Sequence, residues 1–381
     1  MLAHPMNFKI GIIGGGQLGK MLAQEASKFN FTVNILDPTP RCPAYPLVDK
    51  QIVAGFYDED KIRELVLMSD ITTFEIEHIS TPVLEELWEK GHKIHPSPKV
   101  LKIIQDKAKQ KQMLDKNNIP TARWGKVTGD LETAVSDFGF PVVQKACRGG
   151  YDGRGVCVIR KPQDLSQSLK TDSFLEELID FEVELAVMVA RSLTGDIKCY
   201  PVVEMGFDTD ANICDSTVAP ARVPENIQKS AMEIAISCVE ALDGVGIFGV
   251  EMFLTKDGNV LVNEIAPRPH NSGHYTIEAC ATSQFEQHLR AITGLPLGST
   301  ELLQPAVMIN LLGAEGHQGK PYFKGMEDVL KIPGTTVHIY GKKETKPFRK
   351  MGHVTIVDKS LEKALEKANS VRETLKIVSE A

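Results

Sequence analysis

Two glutamates, Glu251 and Glu264, flank the run MFLTKDGNVLVN. Asp257-Gly258 within it is a favoured two-residue hairpin turn. A hairpin built on that turn pairs Lys256 with Asn259, Leu254 with Leu261, and Glu251 with Glu264. The two carboxylates then face each other on one side of a sheet, with β-carbons roughly 5 Å apart. Like charges so placed repel, and a divalent cation between them removes the conflict. Magnesium favours a few carboxylates plus substrate phosphates over a closed protein cage. A solvated acidic sheet face is the other reading of the pair. Just downstream, IAPRPHNSGH carries Arg268, His270, Asn271 and His274, a polar loop suited to an anionic substrate. His270 and His274 have helical metal-ligand spacing, but the Asn-Ser-Gly between them is poor helix, so the spacing argument fails.

Two glycine-rich turns offer backbone amides to phosphate. Lys145 ends a strand and is followed by ACRGGYDGRGV, with glycines at 149, 150, 153 and 155. Such a loop can cover nucleotide phosphates, with Lys145 and Arg154 adding positive charge. It lacks GKS or GKT and is not a Walker loop. Tyr151 and Asp152 at its tip are not needed for phosphate and could touch a second substrate; a plain flexible hairpin tip is the alternative. The other turn holds Gly14, Gly16 and Gly19 between a strand and a helix, with Asp37 ending the next strand. That GxGxxG reads either as the dinucleotide site of an NAD-linked oxidoreductase or as the turn of a Rossmann-like domain that holds no dinucleotide. In FLEELIDFEVE, Glu184 follows Glu176 by eight residues. An acid there could take ribose hydroxyls while the connector backbone meets adenine; on the residues alone it is solvated acidic surface.

These residues need elements to hold them. Strand patterns at 8–13, 31–36, 51–54, 70–74 and 93–95 alternate with helical ones at 17–29, 62–68 and 82–90. That alternation predicts a parallel sheet with helices on its faces. A helix-rich stretch at 100–117 precedes strands at 141–146, 156–159, 173–177 and 183–189, which alternate more like an antiparallel sheet. A helix at 230–242, strands at 247–254 and 260–265, and a helix at 284–292 stopped by Gly294 follow. Strands at 306–311, 336–340 and 353–357 and a charged closing helix complete the pattern. The boundaries fall near residues 100 and 298, giving domains at 1–100, 101–298 and 299–381.

The 381 residues, 42% hydrophobic and 24% charged, suit a soluble globular protein with real cores. A net charge of −7 argues against nucleic acid as a partner. Seven cysteines, an odd count with no CxxC, argue against a disulfide framework and a structural zinc site. The start lacks a basic region followed by a long apolar core, and the longest apolar stretch, Leu185 to Ala190, is too short to span a bilayer. No membrane partner and a cytoplasmic location are expected.

The order of strand lysine, glycine loop, acidic connector, glutamate hairpin and Pro-Arg resembles the ATP-grasp superfamily. GGGQLG at 14–19, GGYDGRG at 149–155, NEIAPRPHNSGH at 263–274, SQFEQHLRAITGLPLG at 283–298 and PFRKMGH at 347–353 closely resemble the 5-(carboxyamino)imidazole ribonucleotide synthetase family. The resemblance implies an ATP-grasp fold, α/β and α+β, with an N-terminal Rossmann-like parallel-sheet domain and a small C-terminal mostly β domain. It implies a ligase that uses ATP, Mg2+ and bicarbonate to carboxylate 5-aminoimidazole ribonucleotide through carboxyphosphate, and a homodimer. Lys107, Lys145, Gly150, Tyr151, Asp152, Gly153, Arg154, Gly155, Val156, Glu176, Glu177, Leu178, Ile179, Glu184, Phe207, Asn263 and Glu264 match its nucleotide-binding positions. Glu251 and Glu264 match its metal ligands. Tyr151 and Asp152 are the residues expected to hold the aminoimidazole, Asp152 accepting its amine proton, with Arg268 and His270 completing the catalytic group. Gln17, Glu75, Arg154, Asn271, Lys342, Arg349 and Lys350 are expected around the ribonucleotide. Lys107 stands where an arginine is common, Phe207 where some relatives carry histidine, and Cys147-Arg148 replaces a more basic run; these bear on nucleotide affinity rather than on the reaction. On the hairpin derived above, Asn263 points to the face opposite Glu264.

Overall fold

The computed structural model describes residues 7–150, 155–208 and 213–380, with backbone alone for residues 207, 208, 213 and 214. The strands β1 (Lys9–Ile13), β2 (Thr32–Leu36), β3 (Lys50–Ile52) and β4 (Ile71–Phe74) form a parallel sheet in the order β3-β2-β1-β4. Helices α1 (Gln17–Lys28), α2 (Glu59–Leu67) and α3 (Thr81–Glu89) cover it. Ile10, Ile12, Ile13, Ile35 and Leu36 are fully buried, as expected for strands covered on both faces. The strand expected at 93–95 reduces to one parallel bridge, Thr72 to Ile94. Pro96 follows at once and has no N–H to extend the ladder.

Helices α4 (Pro98–Ile104) and α5 (Lys107–Lys116) lead into the second unit. Asp106 separates them, its side chain capping α5 by accepting from Lys109 N–H at 3.2 Å. A four-stranded antiparallel sheet follows, from β5 (Trp124–Lys126), β6 (Val142–Ala146), β7 (Val156–Ile159) and β8 (Ser173–Glu177) in the order β5-β8-β6-β7. Helix α6 (Leu131–Phe138) packs on it through Val135. Neither β5 nor α6 was anticipated, because three strand residues or two helical turns carry little periodicity.

The large sheet is the frame of the molecule. It uses β9 (Phe181–Arg191), β10 (Ile197–Cys199), β11 (Val203–Asp208), β12 (Ile213–Ala219), β13 (Gly246–Thr255), β14 (Val260–Ala266), β15 (Ala306–Leu312), β17 (Thr335–Ile339) and β18 (Lys350–Val357). Its order is β14-β13-β9-β11-β12-β15-β18-β17, with β10 beside β9. The sheet therefore continues through residue 298 without a break. Helix α7 (Glu225–Leu242) buries Ala231, Ala235, Cys238 and Val239 against one face. Helices α8 (Thr276–Ala279) and α9 (Gln284–Thr293) follow the hairpin, and α9 ends at Gly294 in the left-handed region, as the sequence predicts. Toward the C-terminus lie β16 (Pro321–Lys324), α10 (Met326–Val329), α11 (Leu361–Thr374) and β19 (Lys376–Ser379). The closing helix is thus followed by an unforeseen strand that pairs with β16. No helix of the described residues is long and apolar enough to cross a membrane, and six of the cysteines are free thiols.

Helix α9 ties the first unit to the large sheet. Phe285, Leu289 and Ile292 share a core cluster with Ile10, Met21 and Leu22. His288 is fully buried between the two: its Nδ1 accepts from Ile247 N–H at 3.1 Å, so Nε2 carries the proton and meets Thr73 Oγ1 at 2.8 Å. Burial, with nearby His95, pushes its pKa down to about 3 from 6.5. The unfolded chain takes up a proton below pH 6.5 and the folded chain does not, so this contribution is whole above that pH and is lost progressively as pH falls toward 3. His288→Leu strands the Ile247 N–H and the Thr73 hydroxyl and should cost about 2–4 kcal/mol at pH 7. Urea titrations at pH 7 and pH 5 should also show a shallower acid loss for the variant, by up to about 1.4 kcal/mol per pH unit. Parallel pH dependences would contradict the assigned protonation state.

Candidate active site

Glu251 and Glu264 are register partners in the β13–β14 hairpin. The route to that pairing differs from the expected one. Leu254 faces Val260 rather than Leu261, because the turn is one residue longer: Asn259 C=O accepts from Thr255 N–H and Thr255 C=O from Gly258 N–H. The pairs Leu254–Val260, Phe253–Leu261 and Met252–Val262 would slide the glutamates out of register. A bulge between Glu251 and Met252 restores it by leaving Asn263 as the extra residue on β14. Bulges re-aim side chains, and this one brings Asn263 to the site side beside Glu264. The conflict noted for Asn263 is thereby resolved.

Lys107 Nζ lies 2.5 Å from Glu264 Oε2, and Lys145 Nζ donates to Asn263 Oδ1 at 3.0 Å. Burial raises the Glu264 carboxyl, but Lys107 outweighs it and leaves the group below the usual carboxylate range. Glu251 goes the other way, pushed up to about 8 by burial, then by Glu264 and Glu184. One ionised and one protonated carboxyl is the physical outcome of opposing two acids. Glu184, opposite Phe253 on β9, shares their face and is pushed up to about 7, mainly by burial. Helix α5 and the segment after it hold this edge of the sheet: Gln110 Oε1 accepts from Ile265 N–H at 3.1 Å, and Val262 N–H donates to Pro120 C=O at 2.8 Å.

Glu176 opens the connector expected to meet adenine through its backbone, and its carboxylate is buried between Lys111 and Lys145 in two close ion pairs. Glu177 is exposed near Arg123, and Leu178 and Ile179 begin the connector between β8 and β9. At the glycine loop, Gly155 C=O accepts from Ala146 N–H at 2.8 Å, Val156 opens β7 half-exposed, and Gly150 ends the described part of the approach. Tyr151, Asp152, Gly153 and Arg154 lie outside the described residues, as does the Phe207 side chain.

The first glycine turn is occupied by the protein's own acids. Glu75 accepts from Gly16 N–H and, at 2.6 Å, from Gly19 N–H at the α1 N-terminus. Asp37 accepts from Gly15 N–H at 2.9 Å and Thr39 N–H at 2.8 Å. A dinucleotide pyrophosphate would need those same amides, so the oxidoreductase reading falls. Gly14, at φ +107°, has no room for a β-carbon beside the Glu75 side chain. Burial pushes Glu75 up to about 7 against the pull of the two amides. Gln17 opens α1 half-buried at this turn.

The loop after the hairpin closes the site. Arg268 Nε meets Glu77 Oε1 at 2.7 Å, and its charge is felt at Glu75. His270 Nδ1 meets Ser272 Oγ at 2.9 Å and accepts from Ser272 N–H, so Nε2 carries the proton, 3.2 Å from Glu251 Oε1. Burial, then Arg268 and Lys350, pushes His270 down to about 3, so it stays neutral. Buried Gln284 clamps the His270 backbone, accepting from its N–H at 2.9 Å and donating to its C=O at 2.8 Å. Asn271 forms a reciprocal amide pair with Asn310, at 2.9 and 2.7 Å. Lys350 begins β18 and acts electrostatically on Glu251 and His270. Lys342 Nζ donates to Lys350 C=O at 2.7 Å, and Arg349 to Glu344 C=O at 2.9 Å. Glu77, Gln110, Lys111, Gln284 and Asn310 were missed by sequence reasoning; only Gln284 sits in one of the quoted motifs, and each acts by holding another residue of the site.

Three family descriptions match the chain: "Ribonucleotide synthetase preATP-grasp domain" over residues 6–105, "ATP-grasp domain" over 112–285 and "Phosphoribosylaminoimidazole carboxylase C-terminal domain" over 306–367. The chain is 43% identical to the N5-carboxyaminoimidazole ribonucleotide synthase of Synechococcus elongatus, over 91% of this chain and 89% of that one. It is similar to the crystal structure of N5-carboxyaminoimidazole ribonucleotide synthetase from Thermotoga maritima, with a TM-score of 0.92 and 59% identity, over 98% and 100% of the two chains. It also resembles the Aspergillus clavatus N5-carboxyaminoimidazole synthase solved with ADP and 5-aminoimidazole ribonucleotide, with a TM-score of 0.89 and 35% identity over 96% and 98%.

The opposed glutamates generate a direct prediction. Glu264→Gln should lower ATP-dependent turnover about 100-fold or more, measured against magnesium concentration. Its unfolding midpoint should change little, because the pair with Lys107 is partly exposed. Turnover at the wild-type rate would remove Glu264 from the site.

Proposed function

The chain belongs to the N5-carboxyaminoimidazole ribonucleotide synthase family of ATP-grasp ligases, and from that premise we propose how its own residues carry the reaction. It is an ATP-dependent carbon–nitrogen ligase that carboxylates 5-aminoimidazole ribonucleotide in purine biosynthesis. The observation that carries the site assignment is the alignment of Glu251, Asn263 and Glu264 on one face by the bulge, with Lys107 and Lys145 set against them.

The donor set fits magnesium. Glu251 and Glu264 supply hard oxygens, and among the described residues no cluster of three or more His, Cys, Asp or Glu forms a closed cage; phosphate oxygens would complete the shell. Glu251 and Glu264 would hold the ion, which when bound neutralises phosphate charge. Lys107 and Lys145 bring cationic charge to the phosphates, and Gly150 to Val156 supply the covering amides. The connector Glu176 to Ile179 borders adenine through its backbone, and Glu184 takes ribose hydroxyls. Phe207 flanks the nucleotide.

The chemistry then runs in two stages. A bicarbonate oxygen bonds to the γ-phosphorus as the bond to the β–γ bridging oxygen breaks, releasing ADP and leaving carboxyphosphate. Its carbon–oxygen bond breaks to give carbon dioxide and phosphate, and the exocyclic amine nitrogen bonds to that carbon. The amine loses a proton to Asp152, while Tyr151 positions the aminoimidazole. Arg268, held by Glu77, and neutral His270, held by Ser272 and Gln284, border bicarbonate with fixed donors that need no reorganisation. Asn271, Gln17, Glu75 and Arg154 line the ribonucleotide, and Lys342, Arg349 and Lys350 bring charge to its 5′-phosphate. The ranges 1–100, 101–298 and 299–381 serve as substrate, nucleotide and phosphate-closing units of a cytoplasmic homodimer.

ADP release in bicarbonate should rise when 5-aminoimidazole ribonucleotide is added; an unchanged rate would defeat the substrate assignment. Asp152→Ala should retain ATP binding yet lose carboxylation by about 100-fold or more, and unimpaired product formation would assign the proton to another group.

A further inference from the structure

Lys111 has no place in the reaction as described, yet its charged side chain is almost fully buried. Its side chain is 3% exposed, on the inner face of α5. It pairs with Glu176, which is equally buried, and donates to Thr121 Oγ1 at 2.5 Å. Thr121 in turn donates to Val262 C=O at 2.7 Å, on the strand that carries Asn263 and Glu264. Lys111 is thus anchored from behind and cannot follow a ligand.

Glu176 has a second cation. Lys145 pairs with its other oxygen, but Lys145 is more exposed, at 15%, and also reaches Asn263 on the site side. Two lysines therefore share one buried carboxylate, one fixed and one facing the nucleotide. Replacing a buried ion pair by apolar groups often costs nothing, whereas removing one partner leaves a buried charge stranded. Stability alone gives no reason to bury a second lysine here. Ligand exchange does. If Lys145 were the sole partner of Glu176, moving it onto a phosphate would strand a buried anion.

We propose that Lys111 is a positioning residue, a permanent counter-ion for Glu176 that releases Lys145 to the nucleotide phosphates. The inference rests on the assignment of Lys145 to the nucleotide, and the test separates the two. ATP binding to the full chain is measured by calorimetry for the wild type, Lys111→Met, Glu176→Gln with Lys111→Met, and Lys145→Met. Lys111→Met is expected to weaken ATP binding about ten-fold or more, because Lys145 is then held by an uncompensated carboxylate. The double variant, which has no anion to hold Lys145, is expected to return to within about three-fold of the wild type, an outcome a merely structural lysine would not give. Lys145→Met should lose binding as well. If Lys111→Met does not fold, the double variant still decides: binding about ten-fold or more below the wild type overturns the proposal. Wild-type binding by Lys111→Met, or a double variant no better than the single, also overturns it while Lys145 keeps its role. Wild-type binding by Lys145→Met overturns both.

Discussion

Two acids set face to face across a hairpin are the constraint around which the rest of the site is arranged. Opposed like charges in a sheet are unfavourable, and the fold keeps them opposed at the expense of a regular ladder. The bulge at Asn263 is needed because the longer turn would otherwise put Glu251 out of step with Glu264. Once the bulge is present, Glu264 and the Asn263 amide reach the same side. The edge strand that carries them is not left free either. Gln110 takes the backbone of Ile265, and Pro120 takes that of Val262, so the outer edge is covered and the register is pinned from behind.

The charges around this pair are organised for exchange. Lys107 sits on Glu264, Lys145 on Glu176 and Asn263, and Arg268 on Glu77. Each of these three cations is oriented by an anion or an amide. Such preorganisation lowers the reorganisation needed when charge arrives. It also explains why buried neutral groups lie among them. Burial beside Arg268 and Lys350 keeps His270 neutral, with its Nε2 3.2 Å from Glu251 Oε1.

Much of this was legible in the sequence, for reasons that differ residue by residue. The glutamate pair was found by a register rule that was wrong by one position at the turn, and an unpredicted bulge repaired the error after three shifted pairs. Asn263 was the visible symptom: a motif residue on the wrong face is the mark of an irregular ladder. The parallel sheet and α9 were read correctly because long periodic segments and a Gly294 stop carry a strong signal. Glu176 could be assigned to the connector, but a motif gives no sign of which way a side chain turns, so its burial between Lys111 and Lys145 was not legible. Lys111, Glu77, Gln284 and Asn310 were invisible for another reason: each contacts a site residue distant in sequence, a relation set by tertiary packing alone.

The site draws on all parts of the chain because one sheet runs through them. From the hairpin at its edge, the order β14-β13-β9-β11-β12-β15-β18-β17 leads without interruption to the C-terminal strands. Lys350 at the start of β18 therefore reaches Glu251 and His270 as part of the same framework rather than as a docked appendage. The parallel-sheet unit joins through α9, whose His288 bridges Thr73 to Ile247, and through Glu75, which fills the first glycine turn. A glycine turn beside a helix N-terminus attracts anions whatever their source. Here the chain supplies its own carboxylate and so converts a phosphate-binding shape into a means of presenting an acid near Arg268. The same glycines that suggest a dinucleotide in the sequence are required instead by the bulk of Glu75 against Gly14 and Gly16.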